Sequence, residues 1–210
     1  MNDEILKISD LVIEADIEGV WKPIVKSLSL TLKKGEVVGL IGESGAGKST
    51  LGLAALGYTK PGCRIVSGSI LLSGSELITS SESRLREIRG NSVSYVAQSA
   101  AAAFNPAHRL IEQFTESPVQ HGKMNRDDAV IRGQLLYRQL ELPDPDHIGD
   151  RYPHQVSGGQ LQRAMTAMAM GCDPEIIVFD EPTTALDVTT QIEVLSVIKE
   201  SVRAKGVAAI

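Results

Sequence analysis

Residues 37–56 read VVGLIGESGAGKSTLGLAAL, and the fold turns on how this stretch is read. The apolar run 37–41 has the length of a strand. The glycine-rich turn behind it fits G-x-x-x-x-G-K-[ST] from Gly42 to Ser49, and apolar residues then recur at helical spacing (Leu51, Leu53, Ala54, Ala55) as far as Gly57. Strand, turn and helix in that order make an anion trap. Consecutive backbone N–H groups curl round a phosphate, a helix start adds about half a positive charge, and glycines let the main chain come close and take positive φ. Lys48 is expected to reach the β- and γ-phosphates of a nucleotide, and the Ser49 hydroxyl to ligate Mg2+.

With 210 residues the chain can bury one good core and hold an inserted subdomain. A net charge of −5 leaves no basic surplus for a nucleic-acid backbone, so no nucleic-acid partner is expected. No apolar run approaches the ~20 residues that cross a bilayer. The start, Met-Asn-Asp-Glu, has neither the basic nor the apolar part of a signal peptide. Cys63 and Cys172 stand far apart, without metal spacing, and read as buried free thiols of a reducing, cytoplasmic compartment.

Outward from the turn, residues 5–14 alternate in part, and Leu28, Leu30 and Leu32 alternate with polar neighbours: two strands. Trp21 either stacks on a purine ring or packs a loop onto the sheet. Residues 65–73 read as a strand interrupted by Gly68, residues 76–90 as helix-compatible, and residues 92–98 as an alternating strand ending on Gln98. A small-residue loop at 99–106 precedes helical patterns from about 110 and over 126–142. Parallel-strand patterns vanish over about 99–165 and return afterwards. The expectation is an α-helical insertion there, with about 1–98 and 166–210 forming the nucleotide-binding core.

Ser157 followed three residues on by Gln160 is a capping box, and Gly158 and Gly159 between them leave bare N–H groups at a helix start, a second anion surface. Each glycine costs helix stability of ~1 kcal/mol relative to Ala, so a further reason for them is needed. The apolar run 176–179 ends in Asp180 and Glu181, at the strand edge where α/β sheets bind ligands. Asp180 is expected to hold Mg2+ and Glu181 to accept a proton from attacking water; the plainer alternative is a pair of helix-capping carboxylates. Asp187 reads as N-cap of a helix with Val188, Ile192, Leu195, Ile198 and Val202 on one face.

Together these residues resemble the nucleotide-binding subunit of ABC transporters, along essentially the whole chain. Gly42, Glu43, Ser44, Gly45, Ala46, Gly47, Lys48, Ser49 and Thr50 match the Walker A loop, Gln98 the Q-loop, and Val156 with Ser157, Gly158, Gly159 and Gln160 the LSGGQ signature, Val replacing its first Leu. Residues 176–180 match Walker B, Glu181 the catalytic glutamate, and residues 184–187 the D-loop ending at Asp187. The text between motifs, such as RYPHQVSGGQLQRAMTAMAM, is similar to the dipeptide, oligopeptide and nickel importer ATPases.

The resemblance implies a P-loop NTPase core with a mostly parallel sheet, an N-terminal antiparallel β subdomain and an inserted helical subdomain. It implies ATP and Mg2+ as ligands, Ser49, Gln98 and Asp180 at the metal, Gln98 and Glu181 as catalytic residues, and Trp21 at the adenine. Partners would be a second cassette, same or related, joined head to tail so that Ser157–Gln160 of one covers ATP on the other. Transmembrane permease subunits at the cytoplasmic face and, indirectly, a solute-binding protein would complete the assembly. The family's switch histidine would follow Ile210, and all four histidines precede Asp180. The expectation is therefore a fragment or a natural truncation that binds ATP and hydrolyses it poorly. Alternatives are an impaired ATP-binding module, an accessory protein of phosphonate breakdown and a soluble ABC ATPase.

Overall fold

The computed structural model describes residues 3–43, 45–183 and 187–210. Strands β1 (Glu4–Ile17) and β2 (Val20–Lys33) form an antiparallel hairpin that turns at Glu18 and Gly19, both at positive φ. β1 buries Leu6 and Ile8, then Leu11 and Ile13, so its alternation slips by one residue between the pairs. Against β2 a bulge at Ser9 and Asp10 absorbs the slip, and without it the second pair would face the wrong side. Asp10 sits at φ 47° and its carboxylate accepts from the hydroxyls of Ser27 and Ser29 at 3.3 and 3.4 Å.

Helix α1 (Lys48–Ala54) follows, then β3 (Cys63–Leu72) on the other side of β1 and the short β4 (Ser75–Glu76), giving the order β2-β1-β3-β4. Gly68 answers the bulge. At φ 101°, a Cβ on it would lie 2.6 Å from Leu11 Cα, so the glycine is there for close approach.

The chain then changes sheets. Helix α2 (Glu82–Ile88), capped by Ser81, leads into β5 (Val93–Val96). Four helices come next: α3 (Ala100–Ala103), α4 (Leu110–Gln120), α5 (Arg126–Gln139) and α6 (Gly158–Ala169). Strand β6 (Ile176–Phe179), helix α7 (Val188–Lys205) and strand β7 (Ala208–Ala209) close the described chain, and β5-β6-β7 pair in parallel. α6 crosses residue 165, the expected end of the helical insertion, without a break.

One core packs the antiparallel sheet on α1 and α2; the other fills the helical block round Phe114 and Tyr137, whose rings meet edge-on at 5.9 Å. β5 and β6 serve both: Val93 and Ile176 face the first core, Val96 and Ile177 the second. Strands covered on both faces are the mark of a parallel sheet.

Four local expectations change. Segment 37–41 forms a single bridge, Val37 to Ala209, and no regular strand: Val38 N donates to Ala209 O and Ala209 N to Glu36 O, both at 2.9 Å. The loop 99–106 contains α3, nucleated by the Ser99 hydroxyl accepting from Ala102 N. β5 alternates in sequence yet buries Ser94 as well as Val93 and Val96, since both its faces are covered. α7 buries Val194, Val197, Ile198 and Val202, and leaves Val188, Ile192 and Leu195 74, 68 and 45% exposed. Two stripes of that helix satisfy the same period, and spacing alone does not choose between them.

Candidate nucleotide site

The turn between segment 37–41 and α1 is shaped by Gly45 and Gly47, at φ 84° and 82°. A Cβ on Gly47 would come 2.9 Å from Ile24 O of β2, so the residue at the start of α1 has to be glycine. Ser44 lies outside the described residues. Lys48 folds back over the turn, and its ammonium donates to the carbonyls of Gly42 at 2.8 Å and Glu43 at 3.0 Å. It also stands 4.0 Å from Glu181 Oε1.

α1 lies close on β6 at Gly52, where a Cβ would be 2.9 Å from Val178 Cγ1. That approach brings the Ser49 hydroxyl to the end of β6, where it donates to Asp180 Oδ1 at 2.7 Å. The other oxygen, Oδ2, accepts from the Tyr95 hydroxyl at 2.6 Å, and Asp180 N donates to Val96 O at 2.9 Å. Burial first, then the hydrogen bond and charge of Asp180, push the Tyr95 phenol well above its ordinary value, so it stays a donor. Glu181, at φ 47°, accepts on Oε2 from Gln98 Nε2 at 3.2 Å.

Lys48, Ser49, Tyr95, Asp180 and Glu181 line one side of a cavity of about 380 Å³. Segment 37–40, β6 and the Leu195–Ile198 side of α7 supply its largely apolar remainder. Among the described residues no cluster of three His, Cys, Asp or Glu could hold a metal. A hydroxyl beside one carboxylate does suit Mg2+, which takes hard oxygen ligands, few of them from protein, and completes its shell with water and phosphate.

The sequence profile of the ABC transporter family matches residues 25–184. The chain belongs to that family. It is 39% identical over 168 residues to a probable peptide ABC transporter ATP-binding protein, y4tR, of Sinorhizobium fredii, an alignment covering 80% of this chain and 50% of that one. With the oligopeptide transport ATP-binding protein OppD of Lactococcus lactis subsp. cremoris it shares 36% over 205 residues, 98% of this chain and 61% of that one. The chain thus spans about half to three fifths of the length of these relatives. Among solved structures, the ATP-binding cassette MJ0796, dimeric and bound to ADP and Pi, superposes with a TM-score of 0.83 at 24% identity, over 97% of this chain and 85% of that one. The fold is the ABC cassette: antiparallel β subdomain, parallel sheet and helices, as the resemblance implies.

Within this ABC chain the other expected site residues fall in four places. Thr50 is buried in α1. At the start of α6 the capping box is closed: the Ser157 hydroxyl accepts from Gln160 N at 3.3 Å and Gln160 Oε1 from Ser157 N at 3.0 Å. Gly158 is exposed, but Gly159 is buried, and a Cβ on it would stand 2.6 Å from Thr190 Cγ2 of α7. Packing, then, is the further reason for that second glycine. None of Ser157, Gly158, Gly159 or Gln160 lines the cavity beside Lys48.

Asp187 caps α7, accepting from Thr190 N at 3.1 Å and Thr190 Oγ1 at 2.6 Å, while residues 184–186 lie outside the described set. Trp21 sits in the β1–β2 hairpin opposite Asp16, with the Arg64 guanidinium 4.1 Å over its ring.

Two residues at the site carry no signal in the motifs. Tyr95 is one. The other is Gln162, buried on α6, whose Nε2 donates to Ala97 O at 3.3 Å and so ties that helix to the residue before Gln98. Both cysteines are free, and burial pushes the Cys172 thiol up.

Proposed function

We propose that the chain is the ATP-binding and ATP-hydrolysing cassette that energises an importer of peptides or related small solutes. It pairs head to tail with a second cassette, the same chain or a related one, beneath permease subunits served by a solute-binding protein. One convergence carries the reading. Lys48 and Ser49 from α1, Gln98 after β5, and Asp180 and Glu181 after β6 meet within hydrogen-bond or ion-pair reach at one end of the parallel sheet. The relatives named for peptide and oligopeptide transport support the cargo class.

In this reading the Lys48 ammonium exchanges the carbonyls of Gly42 and Glu43 for phosphate oxygens of ATP. Ser49 and Asp180 would hold Mg2+, which when bound would offset the negative charge of the nucleotide phosphates. Glu181 accepts the proton of the attacking water, with Gln98 fixing its Oε2. Gln98 also reports the occupancy of the site, since any shift of Glu181 is felt there and at Ala97, which Gln162 links to α6. The N–H groups at Gly158 and Gly159 of one cassette cover the γ-phosphate held by the other. The Trp21 ring would serve the adenine with the face that Arg64 leaves open.

The test uses Glu181→Gln, which keeps the site and removes the base. Light scattering is expected to show a monomer that becomes a dimer with ATP and not with ADP, and Ser157→Arg is expected to prevent it. A chain that binds no ATP, or stays monomeric with ATP bound, overturns the reading. Uptake of a labelled tripeptide by the reconstituted importer, lost with Lys48→Ala, tests the cargo; ATP-driven dimerisation without peptide uptake overturns that part alone.

A further inference from the structure

The Asp180 carboxylate has two different sides. Ser49 takes Oδ1 at 2.7 Å; Tyr95 takes Oδ2 at 2.6 Å. The backbone N–H of Asp180 is fixed as well, on Val96 O at 2.9 Å. The anchors from Tyr95 and Val96 come from the parallel pairing of β5 with β6. Tyr95 stands opposite Val178, and its ring runs along the sheet far enough for the hydroxyl to meet the residue two positions further on. The ring is half-buried against the cavity wall, so the phenol cannot swing away without losing its packing.

We propose that Tyr95 is the positioning residue of the metal site: by holding Oδ2 of Asp180 it presents Oδ1, beside the Ser49 hydroxyl, as the oxygen for Mg2+. A carboxylate on a single bond can turn either oxygen forward, and a partner on one of them removes that freedom before the ion arrives. Supporting hydrogen bonds of this kind are commonly worth on the order of tenfold or more in metal affinity. The assignment rests on the reading that Ser49 and Asp180 hold Mg2+, and the test separates the two.

The probe is mant-ADP, its affinity measured by fluorescence in EDTA and in saturating Mg2+. By linkage, the ratio of the two affinities reports how well the complex holds the ion. For Tyr95→Phe, which keeps the ring and loses the hydroxyl, the EDTA affinity and the thermal midpoint are expected to match the unsubstituted chain. The Mg2+ enhancement is expected to fall about tenfold. Tyr95→Met, also without a hydroxyl, is expected to give the same ratio, which guards against a fault particular to one variant. In an Asp180→Asn background, Tyr95→Phe is expected to add nothing.

An unchanged ratio in Tyr95→Phe overturns the assignment while the Mg2+ reading stands. So does an equal loss of affinity in EDTA and in Mg2+, which would make Tyr95 a pocket wall. If the unsubstituted chain shows no Mg2+ enhancement, or Ser49→Ala leaves it intact, the Mg2+ reading falls and takes this one with it.

Discussion

The two glycine-rich turns, 42–47 and 157–160, are similar in composition and opposite in build. In the first, Gly45 and Gly47 take positive φ, and the carbonyls of Gly42 and Glu43 find a partner in a single lysine. In the second, serine and glutamine close a reciprocal pair of hydrogen bonds, and Gly159 is wedged against Thr190. A turn satisfied by a long, movable side chain can exchange that partner for a ligand. A turn satisfied by its own neighbours is a preformed surface, able to cover a ligand and slow to deform around one. Glycine serves backbone freedom in the first case and interhelical distance in the second.

The sharpest way to break this contrast is Lys48→Ala. If the first turn works by exchange, mant-ATP affinity falls on the order of 10- to 100-fold, the equivalent of one charge-assisted hydrogen bond at roughly 1.5–3 kcal/mol. The melting temperature should hardly move, because the lysine's contacts lie at an exposed turn. A large loss of stability with affinity intact would make Lys48 a structural strut and erase the difference between the turns.

Gly159→Ala tests the second turn in the opposite currency. Alanine would gain roughly 1 kcal/mol in helix propensity. Its Cβ, however, would meet Thr190 Cγ2 at 2.6 Å, and overpacking of that kind costs about 1–3 kcal/mol. The expected result is a net loss of stability in denaturant titration, restored by adding Thr190→Ser. Serine drops the methyl and keeps a hydroxyl for Asp187. No rescue by that second change would send the effect of Gly159 back to its N–H group.

How much of this could be read in the chain follows from range. The capping box at Ser157 and the cap at Asp187 are contacts three residues long, so a sequence pattern contains them whole. The order of strands and helices was legible for a similar reason, since each element carries its own period. Tyr95 was not, because its contact with Asp180 exists only once β5 lies parallel to β6 in one register, and nothing within residues 92–98 states that register. Gly159 was legible as an oddity, two glycines opening a helix, but its neighbour Thr190 comes from another helix. Which side of α7 is buried is not written in its period, because the helix carries two apolar stripes and only packing picks one.

Ser157→Ala sharpens the comparison at smaller scale. Losing an N-cap costs about 1 kcal/mol. The unfolding free energy from denaturant titration is expected to fall by that amount, with mant-ATP affinity of the isolated chain unchanged, because the second turn lines no part of the Lys48 cavity. ATP-driven dimerisation in the Glu181→Gln background should weaken at the same time. Affinity that fell in the monomer would show the two turns sharing a ligand within one chain.

The smallest effect lies just upstream of the second turn. The His147 ring makes a 2.8 Å hydrogen bond with the Asp144 carboxylate, and that bond, then the charges of Asp144, Asp146 and Asp150, raise its pKa above the ordinary 6.5. A group whose pKa is raised by folding binds its proton more tightly in the folded chain. Its contribution is therefore complete below the ordinary value and is lost as pH rises through the raised one. The ring is fully exposed, so solvent screens the pair and the decline is slight. Denaturant titrations from about pH 6 upward should show the unsubstituted chain losing a small advantage over His147→Gln, while mant-ATP affinity follows the same pH course in both. A nucleotide affinity that tracked His147 instead would couple the two turns through the segment 147–156, and their independence would have to be given up.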